Sequence, residues 1–161
     1  MTSDHGAIRP GEIAIALPGT WDAEILFIGK IRTPWRERHE CPRRGDPDGP
    51  VCRVVLDQIW WPALRGIEAS AWLDVSYWMH LARRDLVAQN PKRRGDLFGT
   101  FALRSPNRPN PIAVSGVRVV GREQGTLLVR GLDCVDGTPL IDIKPCDCPN
   151  WHTAEPAQGG E

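Results

Sequence analysis

The sequence lacks a long apolar run. None of its hydrophobic stretches approaches the roughly 18 residues that a membrane-spanning helix needs. The opening residues, MTSDHGAIRPGE, also lack the basic and then apolar pattern of a secretory signal. We therefore expect a soluble, cytoplasmic protein.

Net charge is absent too, because 20 Lys and Arg residues balance 20 Asp and Glu residues. Together with the ordinary apolar content, this argues against a disordered chain and against a protein that is basic throughout. The balance is uneven along the chain, however. Basic residues crowd into 83–118 and aspartates into 133–147, so a neutral total can conceal a positive face.

The five cysteines cannot all pair within one chain, and a cytosolic setting favours free thiols. One cluster nevertheless resembles a metal site, because Cys146, Cys148 and His152 could bind zinc with Cys134 or Cys41. The Cys-x-Cys spacing is rarer in zinc sites than Cys-x2–4-Cys, and no second tight pair exists. We favour reduced thiols that pack the C-terminal segment and predict no metal.

No glycine-rich strand-to-helix turn of the GxGxxG type occurs, and no repeat has a fixed period. Short apolar and β-branched runs instead alternate with segments rich in glycine and proline, which favours strands joined by long loops. The length suits one domain. We predict a mainly β protein, a small antiparallel barrel of six or seven strands with little helix. The expected strands are 23–31, 51–61, 71–82, 97–103, 112–120, 125–135 and 138–143, with one short helix at 62–70.

The expected domain boundaries place a flexible N-terminal arm at 1–20, the barrel at 21–148 and a C-terminal tail at 149–161. Seven tryptophans are many for this length. Four of them fall on predicted strands and are expected in the core or at a dimer interface: Trp60, Trp61, Trp72 and Trp78. Trp35 and Trp151 fall in loops and could stack on a base.

The segment RSPNRPNP combines three prolines with side chains suited to recognition. Its prolines restrict φ, so the loop has little entropy left to lose. Arginine forks suit phosphate or carboxylate, and asparagines can both donate and accept. Composition alone leaves open whether this is a stiff connector or a recognition loop. The residues in question are Arg104, Ser105, Asn107, Arg108 and Asn110.

Four other features contain residues that could bind a ligand or take part in catalysis. The segment DGTP at 136–139 is a turn signature, read either as an ordinary hairpin turn or as a cradle for a small polar ligand. Asp142 and Lys144 fall on one strand face and suit an ion pair. The loop CPRRG carries Arg43 and Arg44, which either bind an anion or are simply solvated. His80 could act as a base or stack on a ligand, although a lone strand histidine is more often structural.

Two segments together resemble a known family. FGTFALRSPNRPNPIAVSGVRVV, followed by LDCVDGTPLIDIKPC, is similar to the TsaA-like β-barrel methyltransferases, which include the TrmO-type tRNA N6-threonylcarbamoyladenosine-37 methyltransferases. FIGKIRTPW, CPRRG and LRGIEASAWLDVSYWMH resemble further family segments. The resemblance covers about residues 24–146. It implies S-adenosylmethionine as methyl donor, a homodimer with the cofactor near the subunit interface, and a tRNA anticodon loop as partner.

The resemblance also implies roles for individual residues. Those expected at the cofactor are Pro42, Arg43, Arg44, His80, Leu81, Arg104, Asp136, Gly137, Thr138 and Pro139. Those expected at the substrate are Arg104, Ser105, Asn107, Arg108 and Asn110. The catalytic group stays undetermined, with His80, Asp136 and Asp142 as candidates. A sensor that binds S-adenosylmethionine, or a methyltransferase for small molecules, is the alternative on the same barrel.

The chain departs from the family at three places. Arg44 stands where family members often have glutamine. An arginine common before the proline-rich motif is missing; either Arg93 or Arg94 takes its role, or the role is lost. The segment PCDCPNWH replaces a more hydrophobic continuation. The basic stretch 83–94 is expected to meet tRNA phosphates.

Overall fold

The computed structural model describes residues 8–91 and 96–146. Its strands are β1 (Ile13–Ala14), β2 (Gly29–Arg32), β3 (Cys52–Leu56), β4 (Trp72–Trp78), β5 (Leu86–Gln89), β6 (Phe98–Gly99), β7 (Ile112–Glu123), β8 (Thr126–Arg130) and β9 (Thr138–Pro145). Six of them form a closed antiparallel barrel in the order β2-β3-β8-β7-β4-β9, and β9 closes on β2. The predicted mainly β barrel is confirmed.

Alternation of side chains builds the barrel wall. On β4, Leu73, Val75 and Tyr77 are buried, and the residues between them face outward and are only partly covered. This period of two is what a half-buried strand requires. β4 lies between β7 and β9, and its register with β7 runs from Trp72 opposite Arg118 to Trp78 opposite Ile112.

The inward faces of the six strands supply one apolar core. Each fully buried aliphatic side chain contributes about 1.5–3 kcal/mol relative to exposure, so this cluster is the main source of stability. Its fully buried members on the strands are Ile31, Val54, Leu73, Val75, Val117, Leu127, Val129 and Leu140.

The segment after β3 differs from the prediction. The expected strand 51–61 ends at Leu56, and Gln58–Leu64 forms a 3-10 helix with Pro62 inside it. A second 3-10 turn, Ile67–Ala69, follows Gly66, whose φ of 83° favours glycine. The expected short helix at 62–70 is thus shifted in its bounds and consists of these two 3-10 segments. Trp60 and Trp61 lie on the 3-10 helix and still pack against the core.

Three other boundaries differ. The expected strand 23–31 is reduced to β2: Ile28 still donates its amide to the Leu140 carbonyl of β9 at 2.9 Å, but Leu26 before it is 67% exposed. The expected strand 97–103 is β6 followed by the 3-10 turn Thr100–Ala102. The basic segment 83–96, expected as a loop, contains β5, which pairs with β1 and β6 in a small second sheet. Its buried Leu86 and Gln89 stand among charged residues that hid the strand signal.

Barrel topology brings three long segments to one end. Residues 33–51 follow β2, residues 79–111 join β4 to β7, and residues 131–137 join β8 to β9. Because neighbouring strands are antiparallel, all three emerge at the same end of the barrel, here called the loop end. Within the described ranges, no helix has the length and apolar character to cross a membrane.

Candidate functional site at the loop end of the barrel

A shallow depression of about 260 Å³, partly open to solvent, lies at the loop end. Met79–Ala82, the residues directly after β4, form one side of it. All three long segments contribute to its lining. The remaining lining residues are Arg38, Pro106, Val135 and Thr138. Segments that resemble one family along the sequence thus meet in space, and this depression is the candidate site.

Loop 131–137 forms one wall and is held by its own polar groups. The Asp136 carboxylate accepts a hydrogen bond from the Thr33 amide at 3.1 Å and pairs with Arg32 at 3.2 Å. The Asp136 amide donates to the Trp35 carbonyl at 2.7 Å, and the Gly137 amide donates to the Ile31 carbonyl at 2.8 Å. Both carboxylate oxygens of Asp136 are therefore engaged in holding the turn.

Thr138 is the member of the predicted turn that lines the depression. It is buried, and its hydroxyl donates to the Val135 carbonyl at 2.7 Å. Gly137 has a φ of 81°, so the turn needs glycine there, as its sequence indicated. Pro139 belongs to β9 and lies opposite Lys30 in the barrel wall.

Most polar side chains of the proline-rich loop are engaged, either within the loop or with Arg83 and Arg84. Arg108 donates to the carbonyls of Ser105 and Leu103 at 3.0 and 2.6 Å. Asn107 accepts from the Arg83 amide at 3.1 Å, and Asn110 accepts from Arg84 at 3.4 Å. The Ser105 hydroxyl accepts from the Asn107 amide. These contacts fix the loop's shape.

Arg104 differs from its neighbours. It is exposed, and its guanidinium makes no hydrogen bond or ion pair with any residue in the described part of the chain. Of the two arginines in the loop, Arg104 therefore has an unengaged guanidinium, although it is not among the residues that line the depression, while Arg108 already serves backbone carbonyls.

Segment 33–51 approaches the depression through a residue that the sequence reading missed. Arg38 lines the depression, and its guanidinium donates to the Leu81 carbonyl at 3.1 Å. The predicted Pro42, Arg43 and Arg44 lie further along this segment and are not among the lining residues; both arginines are exposed. No feature of spacing marked Arg38 in a segment with five arginines between 36 and 53.

His80 and Leu81, which the resemblance implies at the cofactor, lie just beyond the end of β4, and both line the depression. Met79 lies beside them and was missed, since an apolar residue at a strand end reads as core. Both His80 and Leu81 are exposed. The His80 imidazole makes no hydrogen bond with residues 8–91 or 96–146, so it is available to a ligand.

Asp142 lies away from the depression. It is four residues beyond Thr138 on β9, about 13 Å at roughly 3.3 Å per residue. Its carboxylate pairs with Lys144, as the sequence spacing suggested.

The arginines that begin the basic stretch are engaged within the molecule. Arg83 pairs with Asp85 at 2.6 Å, and this hydrogen bond lowers the pKa of Asp85. The Arg84 guanidinium lies 4.2 Å from the Trp21 ring centroid and 5.2 Å from that of Trp78. The predicted Arg93 and Arg94 lie outside the described residues.

Of the described cysteines, Cys41, Cys52 and Cys134 are free thiols, and Cys41 is the one among these three that is only partly buried. Burial raises the pKa of Cys134 to about 12 and that of Cys52 to about 11. Within residues 8–91 and 96–146 no group of three potential ligands could hold a metal. Cys148, His152 and Trp151 of the sequence predictions lie outside the described residues. Trp35 is partly buried against the core.

One polar network reaches into the core beneath the depression. The Tyr77 hydroxyl donates to an Asp133 carboxylate oxygen at 2.8 Å and lies 2.7 Å from the Ser115 hydroxyl. Burial, followed by the Asp133 charge, raises the pKa of Tyr77 above its ordinary value. The phenol therefore stays protonated and acts as a donor.

Comparison with known proteins decides the family. The family described as "tRNA-methyltransferase O N-terminal domain" matches residues 30–147, which include the barrel strands from Lys30 onward and all three loop-end segments. The chain belongs to this family. The suspected relationship to the TrmO-type proteins is thereby confirmed.

This chain covers most of the length of some relatives in the TrmO N-terminal domain family and a smaller share of others. The "Probable S-adenosyl-L-methionine-binding protein VirR" of Rhizobium radiobacter is 48% identical over 138 residues, 86% of this chain and 79% of that protein. An "S-adenosyl-L-methionine-binding protein" of Archaeoglobus fulgidus is 35% identical over 127 residues, 76% of this chain and 91% of that protein. A crystal structure of TrmO superimposes with a TM-score of 0.67 at 30% identity over 88% of this chain. This chain spans only 62% of that TrmO chain.

Proposed function

We propose that the protein is an S-adenosylmethionine-dependent methyltransferase that methylates N6 of threonylcarbamoyladenosine at position 37 of tRNA. The observation that carries the proposal is the convergence of Met79–Ala82, Pro106, Val135 and Thr138 on one depression in a TrmO-family barrel. Family membership supports the reaction class. The unengaged His80 and Arg104 support the roles given below.

The lining of the depression fits the methyl donor. Met79, Leu81 and Val135 offer apolar surface to an adenine ring, and Arg38 keeps donors free beyond the one it gives to Leu81. Those donors suit the carboxylate of the donor's amino acid. S-adenosylmethionine supplies an electrophilic methyl group on a sulfonium, so the protein needs no covalent nucleophile. Its task is to position the acceptor and to exclude water.

His80 is the group we assign to the proton. The acceptor nitrogen must lose its hydrogen when a methyl group replaces it. Of the three titratable candidates, His80 alone lines the depression with an unengaged side chain. Asp136 holds its turn, and Asp142 pairs with Lys144. A histidine suits proton transfer near neutral pH.

Arg104 is the group we assign to the substrate's threonine carboxylate. Its fork is free, and charge-assisted pairing with a carboxylate is strong and directional. An anticodon loop offers splayed single-stranded bases, and the exposed Arg43 and Arg44 suit its phosphates.

A homodimer completes the proposal. The outer face of the barrel carries exposed Ile112 and Val114, and Phe27 packs against Trp78 nearby with ring centroids 6.5 Å apart. Such an apolar surface suits a second copy of the chain. Val114→Glu should convert a dimer to a monomer in analytical ultracentrifugation; a wild-type monomer would contradict this part.

The test uses labelled S-adenosylmethionine and total tRNA, followed by digestion and identification of the labelled nucleoside. Label in methylated threonylcarbamoyladenosine is the expected result. Arg104→Ala should abolish transfer to tRNA, while Arg65→Ala, an exposed arginine at the opposite end of the barrel, should retain it. Equal activity in the two variants would refute the role of Arg104.

The alternative is a protein that binds S-adenosylmethionine without transferring its methyl group. The names of the relatives from Rhizobium radiobacter and Archaeoglobus fulgidus favour it, since both state binding alone. Cofactor binding in calorimetry with no labelled nucleoside would select this alternative. Label in a small molecule would select a different acceptor.

A further inference from the structure

Tyr77 is the single tyrosine of the chain and is buried in the barrel, 1% exposed. Neither the family resemblance nor the lining of the depression identifies it as functional. Its hydroxyl is nevertheless the centre of a polar network inside an otherwise apolar core. A buried hydroxyl without a hydrogen-bond partner is costly, so the Tyr77 hydroxyl depends on the partners in this network.

The network joins β4, β7 and loop 131–137, the three elements that adjoin the segments lining the depression. Tyr77 lies on β4, three residues before His80, and Ser115 lies on β7, just after the proline-rich loop. Asp133 lies in loop 131–137, three residues before Asp136. If the phenolic proton goes to Asp133, the Ser115 hydroxyl donates to the Tyr77 oxygen, and all three groups are satisfied.

Leu132 and Cys134 of loop 131–137 pack in the core, and the other hydrogen bonds of the loop run to one side. Asp136, Gly137 and the carbonyl of Cys134 make their hydrogen bonds to β2 and to residues 33–35. Among the described residues, the bond from Tyr77 to Asp133 is the one hydrogen bond that ties this loop to β4. β4 leads directly to Met79, His80 and Leu81 on the opposite wall of the depression.

We propose that Tyr77 is a positioning residue for the methyl-donor site: its hydroxyl, supported by Ser115, holds Asp133 and so sets the separation between loop 131–137 and the end of β4. This proposal rests on the proposed function for the identity of the ligand. Tyr77 itself does not touch the ligand. It acts through Val135 and Thr138, which Asp133 precedes in the same segment.

Tyr77→Phe is the decisive variant, because it keeps the ring that fills the core and removes only the hydroxyl. We expect roughly tenfold weaker binding of S-adenosylmethionine in calorimetry, the scale of a lost hydrogen bond to a charged group. We also expect faster amide hydrogen exchange in 131–137. Asp133→Asn retains an oxygen acceptor and should stay within about threefold of wild type, while Asp133→Ala should resemble Tyr77→Phe.

Val75→Ala is the matched control, since it opens a cavity on the same strand without touching the network. It should lower the melting temperature and leave exchange in 131–137 and cofactor affinity unchanged. If Tyr77→Phe behaves like Val75→Ala, the positioning role is overturned. If the wild type fails to bind S-adenosylmethionine, the proposed function and the ligand-directed role fall together, while hydrogen exchange still reports whether Tyr77 holds the loop.

Discussion

The Arg38 guanidinium donates a hydrogen bond to the carbonyl oxygen of Leu81 at 3.1 Å. The contact joins the segment after β2 to the end of β4, across 43 residues of sequence. It closes one side of the depression and leaves other guanidinium donors of Arg38 without a hydrogen bond to the described residues. Arg38 therefore belongs to the candidate site because, like His80 and Leu81, it lines the depression.

Arg38→Ala should weaken binding of S-adenosylmethionine about tenfold, because both the link to Leu81 and a free cationic donor are lost. Its melting temperature should change little, since one partly exposed hydrogen bond contributes about 1 kcal/mol. Calorimetry and thermal denaturation measure the two effects. Arg36→Ala is the matched control, because Arg36 is exposed in the same segment and only its backbone amide is bonded. Equal cofactor affinity of the two variants would remove Arg38 from the site.

Two substitutions of Asp136 distinguish its role in holding the turn from a role as proton acceptor. Asp136→Asn keeps an oxygen for the Thr33 amide and loses only the exposed pair with Arg32, which is worth about 0–1 kcal/mol. We expect it to retain cofactor binding and methyl transfer. Asp136→Ala loses both contacts and should weaken cofactor binding in calorimetry. Loss of transfer in Asp136→Asn with intact cofactor binding would instead identify Asp136 as the proton acceptor and displace His80.

Gly45 holds segment 33–51 against the barrel. A Cβ at this position would overlap the carbonyl oxygen of Gly131, so Gly45→Ala forces two backbones apart. We expect a loss of about 1–3 kcal/mol in the free energy of unfolding, measured by denaturant titration. Gly19→Ala is the control, because nothing lies within 4 Å of its Cβ position. Similar unfolding midpoints for the two variants would show that the segment does not rest on Gly131.

Cys134 makes stability depend on alkaline pH. Burial raises its pKa to about 12 from an ordinary 9.0, so the folded protein keeps a proton that the unfolded chain releases. This contribution is fully present below pH 9 and is lost as the pH rises from 9 towards 12. The melting temperature should therefore fall in that window, and Cys134→Ala should show a shallower fall. Cys146→Ala, a partly exposed thiol, serves as control. Identical slopes for Cys134→Ala and the wild type would contradict the assignment.

The sequence predicted the fold class because strand alternation is a local property. Leu73, Val75 and Tyr77 alternate with polar or aromatic residues whether or not a partner strand is present, and the structure buries those three. Local signals failed where a segment is short or charged. β5 was missed among arginines, and the 3-10 helix around Pro62 was read as a strand and a helix.

The sequence by itself determined the loop motifs, their family and the turn glycine Gly137, because motif spacing and turn chemistry are written along the chain. Only the tertiary structure decided which polar side chains are already hydrogen-bonded within the described part of the protein and which are not. Arg104 and Arg108 look equivalent in RSPNRPNP, yet Arg108 is committed to backbone carbonyls and Arg104 is not. Asp133 reaches Tyr77 across 56 residues through strand register and barrel closure. Such contacts depend on which distant strands become neighbours when the barrel closes, and the sequence of one strand does not name its partner.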